Sequence, residues 1–521
     1  MQERSSRIVE AWSLATDFAG KMAALRTRFA AAEGERRVLF IARGQPGSKW
    51  FFDRRSERWV LIDAYTENVP DELAEWCRSH GWQLLVLYDG VAPDYSPPER
   101  PTFAERYPGV ARDLYSAEMF APFPSRTQIA PQFADHYAKT LFADAGFNAA
   151  FAYDGVQMFE TLTDQIDVLP GLAAGYVHSR ERWIELLNVL KPEVVFGGRL
   201  DTRAELNSAC AGLGIVTVGI KLGISEEMLT PFAIADDTGA FYEEIFPDVL
   251  CVWGEWQKQL IAQRFPDCNS TIIPSGRTRS DSFAAADEDY PGDGLRTFLG
   301  AGADTRLIVY GANYATKYGK MASLDFGASC MSPESYRRGL DELSSLAARR
   351  GDSMVVVKPH PSDDIAFIRR SVEALGSPHV RLLTDEHGFH NALLLRNSAV
   401  FVSSVSSMFA EAVLSDCPAI NLWTPDINYL YETARRDLYG TISLTVESWD
   451  DLVAATDRFL SEPDFCAEQL ARMRSALEPI FGGLDGGNAR RLVEQSMAAC
   501  LALLRERSMA GAPQAGEATA R

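Results

Sequence analysis

Two short polar loops carry the residue types best suited to chemistry, and each follows an apolar run. Lys358–Pro361 (KPHP) follows the run MVVV, and Ser403–Ser407 (SSVSS) follows the run AVFV. Short, β-branched-rich apolar runs that stop at Pro or Ser are typical of buried parallel strands, and the amphipathic stretch after the second run is typical of a helix. We therefore expect both loops at the edge where open α/β sheets bind their ligands.

The serine-rich loop is suited to binding a phosphate. Its hydroxyls lie at a predicted helix start, where backbone N–H groups lack partners and the helix dipole is positive. Because a phosphate accepts several short hydrogen bonds, we predict that Ser403, Ser404 and Ser406 hold the phosphate of a nucleotide. The alternative is that a serine merely caps an ordinary helix. Glu411, further along the helix, would accept from a ribose hydroxyl if the nucleotide lies along it.

The proline-flanked loop offers a histidine and a lysine at a strand end. His360 is held stiffly between two prolines, and we predict that it contacts phosphate or protonates a leaving oxygen. A purely structural histidine is the alternative. Lys358 adds positive charge for an anion, or is simply solvated.

The order of these loops resembles that of a known family. The loop Gly276–Asp281 is similar to a G-x-x-R-x-D motif, and it precedes the KPHP loop, the serine pair and a helix that begins near Met408. This set resembles the CDP-glycerol glycerophosphotransferases, and the bacterial capsule transferases and polysialyltransferases are similar. The resemblance covers roughly Leu250–Trp423. The family usually has an Asp after the serine pair. In this sequence Glu411 takes its place, or the residue has no counterpart.

The resemblance implies a fold and a reaction. The fold is α/β, with two facing Rossmann-like domains of the GT-B type and a C-terminal helix that crosses back. The reaction is metal-independent transfer of a sugar or a polyol phosphate from a nucleotide-activated donor to a surface glycan or another glycoconjugate, as in polysaccharide biosynthesis of the cell envelope. The chain would then be a glycosyltransferase. In this enzyme Arg279 pairs with phosphate or with Asp281, and Asn313 approaches the donor from the end of another strand.

No metal ion or other cofactor is expected. Metal-dependent transferases hold a divalent ion with paired acidic residues, and no convincing DxD pattern follows a predicted strand. His387 and His390 lie beside two acidic residues, but no third ligand follows at a suggestive spacing. The nucleotide-activated donor is thus a substrate, and hydroxyls, helix amides, His360 and Arg279 would stabilise the charge of its leaving phosphate.

The base that deprotonates the acceptor should come from the first half of the chain. The best charged cluster there is Arg199–Arg203, which follows the run EVVFGG and contains Asp201. An arginine of this cluster would hold an acidic acceptor and Asp201 or Glu205 would take the proton; Asp201 is our first choice of base and Asp89 the second. The alternative is a helix-capping aspartate flanked by solvated arginines.

The predicted elements divide the chain into five parts. Residues 1–35 form an N-terminal amphipathic helix, 36–240 an acceptor-side α/β domain, 241–465 a nucleotide-donor-binding α/β domain, 466–508 the C-terminal helices and 509–521 a disordered tail. The apolar runs at 59–65 and 82–90 are expected in the first parallel sheet, and those at 249–252 and 271–274 in the second. The N-terminal helix caps its domain or pairs with a partner.

Composition limits the partners and the compartment. The chain has 521 residues, a formal net charge of −20 and a sequence pI near 4.9. This acidity argues against nucleic acid and anionic membranes as general partners, because both need a basic surface. No run of about 18 apolar residues and no signal peptide occurs, so we expect a cytoplasmic protein, with peripheral contact at the inner face of the membrane allowed. The eight cysteines show no CxxC pairing, so neither a zinc site nor a disulfide framework is expected.

The expected partners are a nucleotide-sugar or CDP-polyol donor and a glycan, lipid-linked or protein acceptor. Two other classes stay open. One is a nucleotide-sugar epimerase or hydrolase of the related fold, which needs additional carboxylates around the sugar. The other is a degenerate transferase that acts as a binding subunit.

Overall fold

The structure is a computed structural model. It describes residues 18–30, 35–43, 48–53, 58–63, 66, 68–89, 103–115, 152–153, 156–157, 168–198, 204–221, 246–266, 268–284, 293–311, 332–360, 363–384, 387, 389–404, 406–423 and 438–509. None of the helices in these ranges is long and apolar enough to cross a lipid bilayer. The first 17 residues of the predicted N-terminal helix region and the predicted tail after residue 509 lie outside the described residues.

Strands and helices follow one another along the whole described chain. Up to residue 274 they are α1 (Phe18–Ala30), β1 (Arg37–Arg43), β2 (Ser48–Asp53), β3 (Arg58–Asp63), α2 (Val69–His80), β4 (Gln83–Asp89), α3 (Phe103–Arg106), β5 (Ala111–Tyr115), β6 (Ala152–Tyr153), β7 (Val156–Gln157), α4 (Val168–Leu190), β8 (Val194–Gly198), α5 (Ala204–Gly212), β9 (Val216–Ile220), β10 (Val249–Val252), α6 (Glu255–Arg264) and β11 (Thr271–Pro274).

The remaining elements follow a 3₁₀ turn at Thr278–Ser280. They are α7 (Asp281–Ala284), α8 (Asp293–Leu299), β12 (Arg306–Gly311), α9 (Pro333–Arg350), β13 (Ser353–Lys358), α10 (Ile365–Leu375), β14 (Val380–Leu382), α11 (Asn391–Arg396), β15 (Ser398–Ser403), α12 (Met408–Leu414), β16 (Ala419–Leu422), β17 (Leu444–Val446), α13 (Trp449–Ser461), α14 (Pro463–Phe481) and α15 (Asn488–Met509).

The first sheet is parallel and covered on both faces. Its strand order is β11-β10-β9-β8-β1-β4-β5. Residues alternate along β1: Val38 and Phe40 pack in a core with α2 and α15, whereas Leu39 and Ile41 pack in a core with α1, α4 and α5. The strands of this sheet therefore need continuous apolar runs, because each strand contributes side chains to two buried layers.

The second sheet is also parallel, in the order β14-β13-β12-β15-β16-β17. From β12 the chain adds β13 and β14 on one side and then β15, β16 and β17 on the other side. The chain order therefore reverses between β12 and β15. In the first sheet the same reversal falls between β1 and β8.

The hydrogen bonding corrects two strand assignments made from sequence. β10 and β11 belong to the first sheet, where β10 pairs with β9, although they were expected to open the second domain. β3 pairs antiparallel with β2 in a separate hairpin and does not join the parallel sheet. Both errors have one cause: a short apolar run indicates that a strand forms, but its neighbour is chosen by packing between distant parts of the chain.

The C-terminal helices join the two domains, as expected for a helix that crosses back. α14 contributes Leu477 and Phe481 to the core of the second domain, and α15 contributes Leu492 and Met497 to the core of the first. The chain passes between them at Gly482, which has a φ of 79° and a ψ of −153°. That backbone conformation is essentially restricted to glycine.

Gly482 is also in close contact with the backbone of the first domain. A Cβ atom added there would lie 2.5 Å from Cα of Gly276 and 2.7 Å from the carbonyl oxygen of Trp253. Real Cβ atoms do not approach other atoms so closely, and backbone atoms cannot rotate out of the way. The crossing point therefore requires glycine both for its dihedral angles and for space.

We expect Gly482→Ala to lower the free energy of unfolding by about 3 kcal/mol or more, from the dihedral strain and the steric overlap together. Gly351→Ala is the matched control, because Gly351 has a φ of 74° but a Cβ there would meet nothing within 4 Å. Strain alone should cost the control about 1 kcal/mol. Urea unfolding of both variants checks this, and equal losses would contradict it.

Candidate functional site

The carboxyl ends of three neighbouring strands form the centre of the candidate site. Gly311 ends β12 and is in register with Lys358, which ends β13, and with Ser403, which ends β15. Since neighbouring strands are about 4.8 Å apart, the backbones of Lys358 and Ser403 lie about 10 Å apart across Gly311. The chain order of the second sheet reverses here, which is where open α/β sheets bind ligands. The two polar loops predicted from the sequence therefore follow strands that end at one edge of the sheet, on either side of β12.

The predicted phosphate-binding serines have different surroundings. The hydroxyl of Ser403, which is 3% exposed, donates to the carbonyl of Gly311 at 2.7 Å. Ser404 is buried, whereas Ser406 is partly exposed and its Oγ accepts from the backbone N–H of Met408 at 3.2 Å. Ser406 thus accepts from one backbone N–H of the first turn of α12, whereas the N-cap residue, Ser407, makes no side-chain cap hydrogen bond. A phosphate could accept from Ser403 only if its hydroxyl rotated away from Gly311.

The KPHP loop begins at the end of β13. Lys358 is buried in the last position of the strand, and His360 is partly exposed two residues later. The backbone N–H of His360 donates to Oδ2 of Asp363 at 2.7 Å. Pro361 lies outside the described residues. The structure therefore brings the lysine, the histidine and the serines to the same sheet edge.

Glu411 is the most constrained of the predicted site residues. It lies on α12, is 2% exposed, and its Oε1 accepts from Nη2 of Arg277 at 2.6 Å. Nε of Arg279 lies 2.9 Å from the same oxygen. Oε2 is fully buried and makes no hydrogen bond within the described part of the chain. A ribose hydroxyl could therefore reach Glu411 only after the arginines or the surrounding backbone had moved.

The ionisation of Glu411 follows from this pairing. Burial raises the pKa of its carboxyl, but the charges of Arg279 and Arg277 outweigh burial and hold the pKa below its ordinary value. Two guanidinium groups thus keep a fully buried carboxylate ionised. Because the arginines follow β11 of the first sheet and Glu411 follows β15 of the second, this ion-pair cluster joins the two domains.

Arg277 was not singled out from the sequence, although it has the closer contact with Glu411. Its guanidinium lies 5.1 Å from the centre of the Trp253 ring and 5.9 Å from that of Phe481, and its backbone N–H donates to the carbonyl of Phe481 at 2.8 Å. The motif offered two arginines, two residues apart, and only Arg279 matched the family pattern. Burial, which the sequence does not reveal, distinguishes them.

Asp281, the last residue of the motif, caps the crossing helix. Its carboxylate accepts from the backbone N–H groups of Asn488 and Ala489, at 2.9 and 2.7 Å, and from Nδ2 of Asn488 at 2.8 Å. Burial raises the pKa of this carboxyl in spite of these hydrogen bonds. Arg279 was predicted to pair with phosphate or with Asp281; the structure pairs it with Glu411, and the phosphate contact stays a prediction.

Two predicted residues lie outside the described part of the chain. Asn313 lies two residues after the end of β12, and Asp201 lies three residues after the end of β8, together with its neighbouring arginines. β8 ends beside β1, where the chain order of the first sheet reverses. The second-choice base, Asp89, is the last residue of β4.

The two histidines considered for metal binding have local roles. Nδ1 of His387 accepts from the backbone N–H of Thr384 at 3.0 Å, and Nδ1 of His390 accepts from that of Ala392 at 3.1 Å. His390 thereby caps α11. Within the described ranges, no three His, Cys, Asp or Glu side chains converge on a common metal position.

We expect Glu411→Gln to lower the free energy of unfolding by about 3 kcal/mol at neutral pH, because the buried Arg277 and the partly buried Arg279 lose their counter-charge. Since the pKa of Glu411 in the folded protein lies below its unfolded value of 4.5, the stabilisation is fully present above 4.5 and is lost as the pH falls through the folded pKa. The difference between wild type and variant should therefore shrink on acidification. Urea unfolding across this pH range measures it.

Glu494→Gln is the matched control for this prediction. Glu494 pairs with Arg490 at 3.0 Å, but both side chains are exposed. An exposed pair contributes about 0–1 kcal/mol, so the control should be nearly as stable as the wild type. A Glu411→Gln variant that behaved like this control would show that the buried cluster contributes little.

Comparisons with known proteins support the architecture. No family model and no curated protein matches the sequence. Among solved structures, a protein assigned as a UDP-N-acetylglucosamine 2-epimerase from Listeria monocytogenes has a TM-score of 0.51 and 16% identity, covering 89% of this chain and 97% of that one.

Two further structures are similar over nearly their whole length. Another UDP-N-acetylglucosamine 2-epimerase has a TM-score of 0.50 and 14% identity, covering 89% of this chain and 96% of that one. The wall teichoic acid polymerase TagF has a TM-score of 0.47 and 11% identity, covering 96% of this chain and 99% of that one. Together with the two parallel sheets, the epimerase structures establish that this chain has the two-domain GT-B fold.

Proposed function

We propose that this protein transfers a sugar or a polyol phosphate from a nucleotide-activated donor to a glycan or another glycoconjugate, without a metal ion. The observation that carries the proposal is the row formed by Lys358, Gly311 and Ser403 at the reversal point of the second sheet. A lysine, a glycine and a hydroxyl at three adjacent strand ends suit a phosphate, which needs positive charge, hydrogen-bond donors and little steric bulk.

The donor phosphate would lie over this row. Its negative charge grows as the bond to the transferred group breaks, and Lys358 with the hydroxyls of Ser403 and Ser404 would stabilise that charge. His360, at the same edge, would contact the phosphate or protonate the leaving oxygen. α12 is short, so we assign most of the stabilisation to side chains and to the lysine charge.

The acceptor would be activated from the first domain. A hydroxyl oxygen of the acceptor forms the new bond, its proton passes to a carboxylate, and the nucleotide leaves with the bonding electrons. We assign the carboxylate to Asp201, because its loop begins at the reversal point of the first sheet, with Asp89 as the second choice. Asn313 follows β12 closely and is assigned to donor contact.

The roles proposed for Arg279 and Glu411 require a local rearrangement. In the structure the two residues contact each other at 2.9 Å. Donor binding would have to exchange this contact for one between Arg279 and phosphate and one between Glu411 and ribose. Because phosphate would replace Glu411 as the anionic partner of Arg279, the charge of Arg279 would stay compensated.

Nucleotide-sugar epimerisation is the second candidate, because the two structures with TM-scores of 0.51 and 0.50 are named as UDP-N-acetylglucosamine 2-epimerases. An epimerase converts its nucleotide sugar without any acceptor. Incubation with UDP-N-acetylglucosamine alone therefore separates the two candidates. An epimerase forms the 2-epimer of the sugar, whereas a transferase without an acceptor does not.

A thermal-shift panel of CDP-glycerol, CMP-, UDP- and GDP-linked donors should identify one donor class. A ligand at about 100 times its Kd stabilises the folded protein by about 2.7 kcal/mol, which raises the melting temperature by a few degrees. The shift should persist in EDTA. A shift that EDTA abolishes would contradict metal-independent binding, and no shift with any nucleotide would favour a binding subunit without donor chemistry.

His360→Ala should lower turnover by roughly 10²–10⁴-fold, and Ser404→Ala by roughly tenfold or more through loss of a hydrogen bond to a charged group. The controls make the same substitutions at the amino-terminal ends of strands in the same sheet. They are His379→Ala, one residue before β14, and Ser398→Ala, the first residue of β15. Both controls should keep wild-type turnover. Full activity of either site variant with its correct donor would refute the role of that residue.

A further inference from the structure

Asp363 holds both backbone polar groups of His360. Its Oδ2 accepts from the backbone N–H of His360 at 2.7 Å, and its own N–H donates to the carbonyl of His360 at 2.9 Å. Asp363 is 8% exposed. The KPHP loop is therefore closed by two reciprocal hydrogen bonds, one of which is strengthened by the charge of the carboxylate.

The neighbouring carboxylate has a different task. Oδ1 of Asp364 accepts from the backbone N–H of Phe367 at 2.9 Å and caps the start of α10. Two adjacent aspartates thus act in opposite directions along the chain, since Asp363 bonds back to the loop and Asp364 bonds forward to the helix. They provide a matched pair for experiment.

The carboxylate of Asp363 also acts on Tyr336 of α9, a helix that packs against β12. The pKa of the Tyr336 hydroxyl is raised well above its ordinary value, by burial first and then by Tyr310 and by the charge of Asp363. Tyr336 stacks on Tyr310 of β12, with ring centres 5.5 Å apart. Tyr310 immediately precedes Gly311, the central residue of the row at the sheet edge.

We propose that Asp363 is the positioning residue for His360. Because Asp363 fixes the N–H and C=O groups on either side of the His360 Cα, it sets the position of this Cα relative to Lys358 and Ser403. The imidazole is attached at that position. The inference rests on the proposed function, in which His360 acts on the donor phosphate. Asp363 itself does not contact the donor, so it acts through His360.

Amide hydrogen exchange tests the geometry without any ligand. Pro359 and Pro361 have no amide hydrogen, so the His360 amide is the only one between positions 359 and 361. Asp363→Ala should speed its exchange at least tenfold, whereas Asp364→Ala should not. If the wild-type amide already exchanges as fast as that of Asp363→Ala, the hydrogen bond is absent in solution and the proposal is wrong.

Turnover tests the functional consequence, with CDP-glycerol and UDP-N-acetylglucosamine as probes and nucleotide release as the signal. A misplacement of about 1 Å costs about a hundredfold in rate, so Asp363→Ala should lower kcat/KM by about 10- to 100-fold. Asp363→Asn keeps an acceptor oxygen and should recover most of this loss. Asp364→Ala should keep wild-type kcat/KM per folded molecule while lowering the urea midpoint of unfolding.

A double-mutant cycle distinguishes positioning from a general structural effect. If Asp363 acts through His360, the variant carrying both His360→Ala and Asp363→Ala should be no slower than His360→Ala alone. Additive losses, or an Asp363→Asn variant as slow as Asp363→Ala, would overturn the proposal. If His360→Ala itself keeps full turnover, the proposed function fails at that residue, and the exchange measurement still decides whether Asp363 fixes the loop.

Discussion

The buried carboxylate of Glu411 is the constraint on which the arrangement of the two domains depends. Removing a carboxylate from water costs several kcal/mol unless opposite charges and hydrogen bonds compensate. Here the compensation comes from Arg277 and Arg279, which follow the last strand of the first sheet, whereas Glu411 follows a strand of the second. The main counter-charges of this carboxylate therefore come from the other domain, and they hold α12 against the first-domain loop.

The same loop is held by the crossing of the C-terminal helices. Arg277 donates its backbone N–H to Phe481 at the end of α14, and Asp281 caps α15 through Asn488 and Ala489. Gly482 permits the close approach because it lacks a side chain. The cap formed by Asp281, the crossing at Gly482 and the ion-pair cluster around Glu411 are therefore coupled. Movement of the crossing helix would shift the arginines and, through them, Glu411. This gives the protein a physical connection between the domain arrangement and α12.

Parallel-sheet geometry places the candidate chemistry. Because all strands of the second sheet run in one direction, β12, β13 and β15 end at one edge, and the chain order reverses there. Several of the polar groups there are already engaged, since Ser403 bonds to Gly311, Ser406 accepts from the first turn of α12 and Asp363 holds His360. The backbone of His360 and two of the serine hydroxyls are thus already held at this edge, as a preorganised site requires.

The sequence by itself determined the α/β class and the polar strand ends, because apolar periodicity and strand-ending prolines and serines are local signals, whereas the crossing of the C-terminal helix was expected from the family resemblance. It also made His360, Lys358 and the serines candidates, because they lie in those local patterns, and the structure places them at one edge of the second sheet. Only the tertiary structure decided that β10 and β11 belong to the first sheet, that β3 forms a hairpin with β2, and that Glu411 is buried against Arg277 and Arg279. These features depend on contacts between residues more than a hundred positions apart or on the choice of strand neighbour, and neither burial nor pairing partner is encoded in the spacing of residues along the chain.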